Sequence, residues 1–293
     1  MQVLNVDVPP GLPQHWVTWL APGSQPFFLA GRQAAEWGLT VGQWPADPQL
    51  RDTYEMYGEP DRTCVAWLDE PSFLALPGPV RAGLVRAQVE HGRAAVPTVR
   101  AWTRLLGPGI REQAGGHRFV WWPSLLSGTA GPVLGRLLAE DLPPSRHALV
   151  SEQAWAGAAA LLPGARALAG TFPHGSGPNC FGTVMAAAGV PGAAGTWMQR
   201  EPFEEWLAAL TTRGGRDDVP GTVLVWRAAQ NGQLQHAAVT LGDGWALNKR
   251  SQSWQSPRTI LSAAEVIATS RTPGWHLSRY SITSGKIISQ EHR

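Results

Sequence analysis

Residues 175–188 run Gly-Ser-Gly-Pro-Asn-Cys-Phe-Gly-Thr-Val-Met-Ala-Ala-Ala and place a cysteine where a loop meets a helix. The pattern predicts a tight loop up to Asn179 and a helix of small residues from Cys180, which Gly189 closes. A thiol at a helix start lies among unpaired backbone N–H groups and near the positive end of the helix dipole. We therefore expect the pKa of Cys180 to lie below the ordinary thiol value of about 8.5. The stretch indicates that Cys180 is a nucleophile. The alternative interpretation is that Cys180 packs as a small buried hydrophobic residue.

Two hairpins are predicted downstream of this helix. Asn231-Gly232 is a strong turn dipeptide between strands 222–227 and 236–241, and Gly242-Asp-Gly244 turns the chain into strand 245–249. His236 opens a strand whose other residues are apolar or small. A buried imidazole without a partner costs about 1 to 3 kcal/mol, so we expect it to have one. A cysteine with a histidine is the minimal apparatus of covalent acyl transfer.

Asn248 is the predicted third member of this group. If Gly242-Asp-Gly244 is a three-residue loop, Leu241 pairs with Trp245 and Asn248 lies opposite Ala238. His236 and Asn248 are then diagonal neighbours on one face, with Cβ atoms roughly 7 Å apart. An amide oxygen in that place can hold the second imidazole N–H and orient the ring. A slip of one residue would turn Asn248 to the other face.

The remaining patterns predict an α+β protein. We expect helices over 79–90, 133–140, 151–162 and 203–210, a capping box at Ser262–Glu265 that opens another, and strands over 15–20, 25–30, 63–68, 118–122 and 275–282. The stretch Leu142-Pro-Pro-Ser145 is the best linker. It divides the chain into an N-terminal α/β region, 1–145, whose fold is not predicted and which can shape a substrate cleft, and a domain over 146–293.

Composition excludes several classes of protein. The chain has 293 residues, of which 43% are hydrophobic and 16% charged, so it is not an intrinsically disordered protein. The net charge is +2 without a basic stripe, so we expect no nucleic-acid partner. No run of 18 apolar residues occurs, so no transmembrane segment is expected. The histidine and cysteine spacings contain no zinc motif and no glycine-rich phosphate loop is present, so we expect neither metal nor cofactor.

The cysteines and the N-terminal residues bear on the compartment. Two cysteines, Cys64 and Cys180, cannot form the disulfide framework of a small secreted protein. The first residues lack the basic segment and apolar stretch of a secretory signal. We therefore expect a cytoplasmic protein with two free thiols; its oligomeric state is not predicted.

Four segments together resemble the NlpC-type, CHAP-related superfamily of papain-like cysteine peptidases and amidases. Gly177-Pro-Asn-Cys-Phe-Gly182 is similar to the family's G-x-x-D-C-S-G nucleophile segment, and Val190-Pro191 follows the helix. Pro220-Gly-Thr-Val-Leu-Val-Trp226 resembles P-G-D-L-V-x-F, and His236-Ala-Ala-Val-Thr-Leu-Gly-Asp-Gly244 resembles H-V-G-I-Y-x-G-x-G. The family's third polar residue follows its histidine by 12 positions, which is Asn248 here. The resemblance covers residues 150 to 282.

The resemblance implies a papain-like fold and a thiol hydrolase of peptide or amide bonds. Cys180 would be the nucleophile, His236 the base and Asn248 the residue that orients it, with no cofactor. Family members commonly cut D-γ-glutamyl to diamino-acid bonds of cell-wall peptides. This chain departs from the motif at Asn179 and Phe181, so the resemblance does not specify its substrate.

Substrate contacts and two alternative functions complete the expectations. Trp197, Trp245 and His174 are candidate substrate-binding residues, since tryptophans can line a cleft and His174 lies in the nucleophile loop. We assign no role to Lys249 and Arg250. One alternative is a catalytically silent papain-like module that binds a peptide, glycan or protein partner. The other is an acyltransferase that uses the same thiol chemistry.

Overall fold

The computed structural model describes residues 2–43, 64–93, 96–139 and 142–283. The chain forms two compact units. One unit is Pro9–Glu140, and the other combines Met1–Val8 with Asp141–Arg293. The strands are β1 Gln2–Val3, β2 Val6–Asp7, β3 Ser24–Leu29, β4 Gly42–Gln43, β5 Cys64–Asp69, β6 Thr211–Arg213, β7 Pro220–Ala228, β8 Leu234–Gly242, β9 Trp245–Lys249, β10 Arg258–Ser262 and β11 Trp275–Ile282.

The unit Pro9–Glu140 contains a three-stranded antiparallel sheet in the order β3-β5-β4. The helices described in this unit are Leu12–Leu20, Gly31–Glu36, Glu70–Ala75, Gly78–Glu90, Val99–Leu106, Ile110–Gln113, Pro123–Leu126 and Ala130–Ala139. An aromatic core forms under β3, where Phe27 stacks on Phe73 and both rings contact Trp122. All three side chains are fully buried.

The second unit is built on a six-stranded antiparallel sheet in the order β10-β9-β8-β7-β11-β6. Strands β7 to β10 form a meander, and β11 returns to pair with β7. The helices of this unit are Glu152–Ala159, Ala165–Leu168, Cys180–Ala187, Arg200–Leu210 and Ala263–Thr269, with short 3-10 turns at His147–Leu149 and Ala193–Gly195.

The alternation of side chains along β7 and β8 divides this sheet into two faces. Val223, Val225, Ala237 and Val239 belong to one core, which includes the helix Cys180–Ala187. The residues that alternate with them, Leu224, Trp226 and Ala238, point to the other face. There they form a second core with Ala246, Leu261 and the helix Ala263–Thr269. The sheet is therefore covered by helix on both faces.

The first eight residues belong to this second unit. β1 and β2 form a hairpin whose turn residues, Leu4 and Asn5, both have positive φ. The Leu4 carbonyl accepts a hydrogen bond from the Ser145 N–H at 2.8 Å. The Ser145 Oγ in turn accepts from the Ile260 N–H of β10 at 3.1 Å. The chain terminus is thereby joined to the sheet through Ser145.

The α+β class is confirmed, as are most elements predicted after residue 150. Two strands predicted in the first half are wrong. Residues 15–20 belong to the helix Leu12–Leu20, which Pro13 opens and which buries Leu12, Trp16 and Leu20 at a spacing of four. The predicted strand 118–122 is irregular apart from isolated bridges of Arg118 to Thr98 and Gly115.

Candidate functional site

Cys180 is the first residue of the helix Cys180–Ala187 and is buried. Asn179 caps this helix, because its Oδ1 accepts the Gly182 N–H at 3.0 Å. The Asn179 Nδ2 also donates to the Met198 carbonyl at 2.7 Å. Gly182 lies against the turn Ala193–Gly195, so close that a Cβ there would meet the Ala193 carbonyl oxygen at 2.4 Å. Asn179, just before the thiol, and Gly182, two residues after it, therefore fix Cys180 at the start of the helix.

His236 lies at an irregularity in the β7–β8 ladder. Trp226 pairs with His236, but the next pair is Arg227 with Leu234, so β8 has one extra residue there. A bulge of this kind re-aims a side chain. The imidazole is buried and lies against the Trp226 indole, with ring centroids 5.1 Å apart.

The structure brings His236 and Asn248 together. The imidazole Nε2 lies 2.9 Å from the Asn248 Oδ1. An amide oxygen can only accept, so Nε2 carries the proton and Nδ1 keeps its lone pair. The predicted register is found at Val239–Leu247 and Thr240–Ala246, although Trp245 pairs with Gly242 in place of Leu241. His236 is thus oriented as a neutral base.

The Cys180 sulfur lies beside Ala237, the residue that follows His236 on β8. Backbone N–H groups of Ala237 and of Phe181 act on this sulfur. Between the described side chains of Cys180 and His236 themselves, however, no hydrogen bond is formed. His236 pairs with Trp226 and shares the parity of Ala238, so it lies on the face of the second core, whereas Cys180 packs on the opposite face with Ala237.

Burial reverses the expected charge state of the thiol. Desolvation raises the pKa of Cys180 to about 11, although the N–H groups of Ala237 and Phe181 and the charge of Lys249 act in the opposite direction. The expectation of a lowered pKa is wrong, since it considered the helix start and omitted burial. Desolvation likewise lowers the pKa of His236 to about 4, against the effect of the hydrogen bond to Asn248. Both groups are neutral at pH 7.

The three candidate substrate-binding residues lie in different places. Trp197 is half-buried, and its Cβ would be 3.5 Å from a Cβ at Gly177 in the loop before Cys180. His174 is exposed in the same loop. Trp245 begins β9, about 10 Å along the strand from Asn248, and packs against the core on the Cys180 side. Trp197 and His174 are therefore beside the nucleophile loop, and Trp245 is at the far end of its strand.

Sequence reasoning missed two buried cations beside this site. Lys249 follows Asn248, is 0% exposed, and pairs across the ladder with Arg258, which is 5% exposed. Lys249 Nζ donates to the carbonyls of Ser251 and, at 3.1 Å, Ser253. The sequence pattern could have revealed Lys249, because it lies two residues after Leu247 in β9. Side chains two residues apart in a strand point to the same face, which here is buried.

Arg258 holds the chain on both sides of Cys180. Its guanidinium donates to Thr171 Oγ1, before the nucleophile loop, and to the Ala194 carbonyl, in the turn that packs on Gly182. Desolvation lowers the pKa of Arg258 to about 10. Its Nε is buried without a hydrogen-bond partner among the described residues.

Comparisons with family models, with curated proteins and with solved structures find no match. In the described ranges, none of the helices is both long and apolar enough to cross a bilayer. Nor do the side chains of those ranges bring three or more histidine, cysteine, aspartate or glutamate residues together as a metal site. A functional assignment therefore depends on the geometry around Cys180, His236 and Asn248.

Proposed function

We propose that the chain is a papain-like thiol hydrolase of peptide or amide bonds, with Cys180 as nucleophile, His236 as general base and Asn248 as the residue that orients it. The observation that carries the proposal is the 2.9 Å bond between His236 Nε2 and Asn248 Oδ1 at the residue next to Ala237, whose N–H acts on the sulfur. The resemblance to the NlpC-type family in order and spacing supports the same assignment.

The resting charges define the course of the reaction. Because thiol and imidazole are both neutral, we propose that the imidazole turns toward the sulfur and that the Cys180 proton passes to His236 Nδ1 as the sulfur attacks the substrate carbonyl carbon. The C–S bond forms and the carbonyl electron pair moves to oxygen, where N–H groups at the helix start stabilise it. As the oxyanion collapses, the C–N bond breaks and imidazolium protonates the leaving amine. Water then cleaves the thioester by the reverse sequence.

The decisive experiment is alkylation of the two thiols by iodoacetamide at pH 7.5, with each cysteine quantified by peptide mass spectrometry. His236→Ala is expected to slow labelling of Cys180 about tenfold or more. General-base catalysis typically raises a reaction rate by a factor of about 10² or more, and removal of the thiol proton by His236 would supply part of that factor in alkylation. Asn248→Ala is expected to have a smaller effect in the same direction. Cys64, which lies in the other unit, is the internal control.

The same labelling experiment contradicts the proposal if Cys180 labels equally in wild type and His236→Ala. A positive result warrants an assay on wall-type peptides that contain a D-γ-glutamyl bond, with Cys180→Ala as the inactive control.

A catalytically silent module is the second candidate, and the state of the thiol favours it. The thiol is buried, its pKa is raised, and no hydrogen bond joins the described side chains of Cys180 and His236. A module of this type has no need of an ionisable thiol. Its expected result is a slow Cys180 reaction that neither His236 nor Asn248 affects.

A further inference from the structure

The fully buried Lys249 is the feature of this site that the proposed mechanism leaves without a role. Lysine is almost never fully buried unless its charge is compensated. Here the ammonium donates to the carbonyls of Ser251 and Ser253, which belong to the loop of residues 251–257, hereafter the serine loop. This loop folds on itself, with the Ser251 N–H donating to Ser256 Oγ and the Gln255 N–H to Ser253 Oγ. The loop is thus folded around the ammonium.

The charged and titratable groups near this end of the sheet are carried by β8, β9 with the residue that follows it, and β10. Lys249 on β9 acts on Cys180 directly, and its charge favours the thiolate. His236 on β8 is neutral, and the charge of Arg250 opposes its protonation. Arg258 on β10 pairs with Lys249 and donates to Thr171 and Ala194. Lys249 is accordingly the cation on these strands that acts on the thiol.

The serine loop also touches the approach to the nucleophile. The Gly177 N–H donates to the Gln252 carbonyl at 3.0 Å. Gly177 is three residues before Cys180 and has φ +107°, a conformation that side chains rarely adopt. Lys249 therefore influences the thiol in two ways. Its charge acts on the sulfur, and its hydrogen bonds hold the serine loop that binds Gly177.

We infer that Lys249 is a positioning residue of the thiol site, a fixed counter-charge for the Cys180 thiolate that also holds the serine loop against the approach to Cys180. The inference rests on the proposed function, because an anion at Cys180 forms only if the thiol reacts. When the Cys180 proton passes to His236, the new thiolate lies near the Lys249 ammonium. The thiolate then forms beside a cation that is already in position, so its stabilisation requires no reorganisation of solvent.

The test is the pH dependence of Cys180 alkylation by iodoacetamide in Lys249→Met, Lys249→Arg and Leu247→Ala. Methionine keeps most of the apolar stem and removes the charge. We expect its labelling curve to move to higher pH, with a rate at pH 8 that is about threefold to tenfold lower, because the rate follows the thiolate fraction. Lys249→Arg keeps the charge and is expected to stay within about twofold of wild type.

Leu247→Ala is the matched control. Leu247 is buried two residues earlier on the same face of β9, so its truncation lowers stability and removes no charge. We expect a lower unfolding temperature and an unmoved labelling curve. The inference is overturned if Lys249→Met follows the wild-type curve, or if Leu247→Ala moves the curve equally. If Lys249→Met does not fold, as judged by near-ultraviolet circular dichroism, an upward shift of the curve in Lys249→Arg overturns it.

The outcome for Lys249 is separable from the outcome for the hydrolase. A curve that shifts in Lys249→Met while His236→Ala has no effect on labelling rejects the hydrolase and keeps the counter-charge. A curve that responds to His236→Ala and not to Lys249→Met rejects the counter-charge alone.

Discussion

His236 couples protein stability to pH because it is buried in its neutral form. Its pKa is about 4 in the folded protein and near the ordinary value of 6.5 in the unfolded chain. Below pH 6.5 the unfolded chain binds a proton that the folded protein does not, so stability is full above 6.5 and is lost as the pH falls through 4. The shift corresponds to a loss of about 3 kcal/mol.

Urea unfolding at pH 7 and pH 4, for wild type and His236→Gln, measures this contribution. Carboxyl groups titrate in both proteins, so the difference between them isolates the imidazole. We expect His236→Gln to lose less stability on acidification than wild type. An equal loss in the two proteins would mean that the imidazole is already protonated or solvated in the folded state.

Single residues were predictable from sequence where spacing carries the information. His236 and Asn248 lie 12 positions apart, and the structure joins their side chains. The Asn179 departure from the family motif is physically neutral at the helix start, since asparagine caps a helix as well as aspartate does. The charge state of Cys180 was not predictable, because burial is a property of the surrounding packing and not of the loop sequence.

At the scale of elements, two helical glycines make a matched pair. Gly182 lies in the Cys180 helix, where an added Cβ would be 2.4 Å from the Ala193 carbonyl oxygen. Gly157 lies exposed in the helix Glu152–Ala159, with no atom within 4 Å of such a Cβ. We expect Gly182→Ala to cost about 1 to 3 kcal/mol through overpacking, and Gly157→Ala to add about 0.5 to 1 kcal/mol through helix propensity.

Thermal unfolding of the two alanine variants compares these effects under the same conditions. Labelling of Cys180 provides a second reading, which we expect to change in Gly182→Ala and to stay constant in Gly157→Ala. Equal stabilisation by both substitutions would show that the turn at Ala193–Gly195 does not press on Gly182.

Elements were predictable where turn residues mark their ends. Asn231-Gly232 and Gly242-Asp-Gly244 delimit the hairpins, and Gly232 and Asp243 have the positive φ that such turns need. The helix Leu12–Leu20 resembles a strand in sequence because the six-residue window 15–20 is too short to distinguish the two periods. β10 was not predicted, although the turn signal Ser256-Pro257 directly precedes its first residue, Arg258.

At the scale of the molecule, the terminal hairpin supports the unit that carries Cys180. Val6 is fully buried in β2. Val6→Ala removes apolar packing from that unit, at a cost of about 1 to 3 kcal/mol. We expect urea to expose Cys180 to alkylation at a lower concentration in this variant, with a larger change at Cys180 than at Cys64.

Peptide mass spectrometry after a pulse of alkylating reagent reads both thiols in one sample. Surface substitution Asp7→Asn on the same strand serves as the control, because Asp7 is exposed. A change confined to Cys64 would contradict the assignment of the terminal hairpin to the Cys180 unit. Sequence did not predict this arrangement, since contacts between the first residues and Ser145 span 140 positions and leave no local pattern.

The bond from Gly177 N–H to the Gln252 carbonyl joins two loops through main-chain atoms only. Substitution of the Gln252 side chain leaves that bond chemically intact, so an alanine scan of the serine loop would be silent about it. The bond depends on the length and path of the serine loop, which set the position of the Gln252 carbonyl. We therefore expect an insertion or deletion in this loop to loosen the nucleophile loop more than a replacement of the Gln252 side chain does.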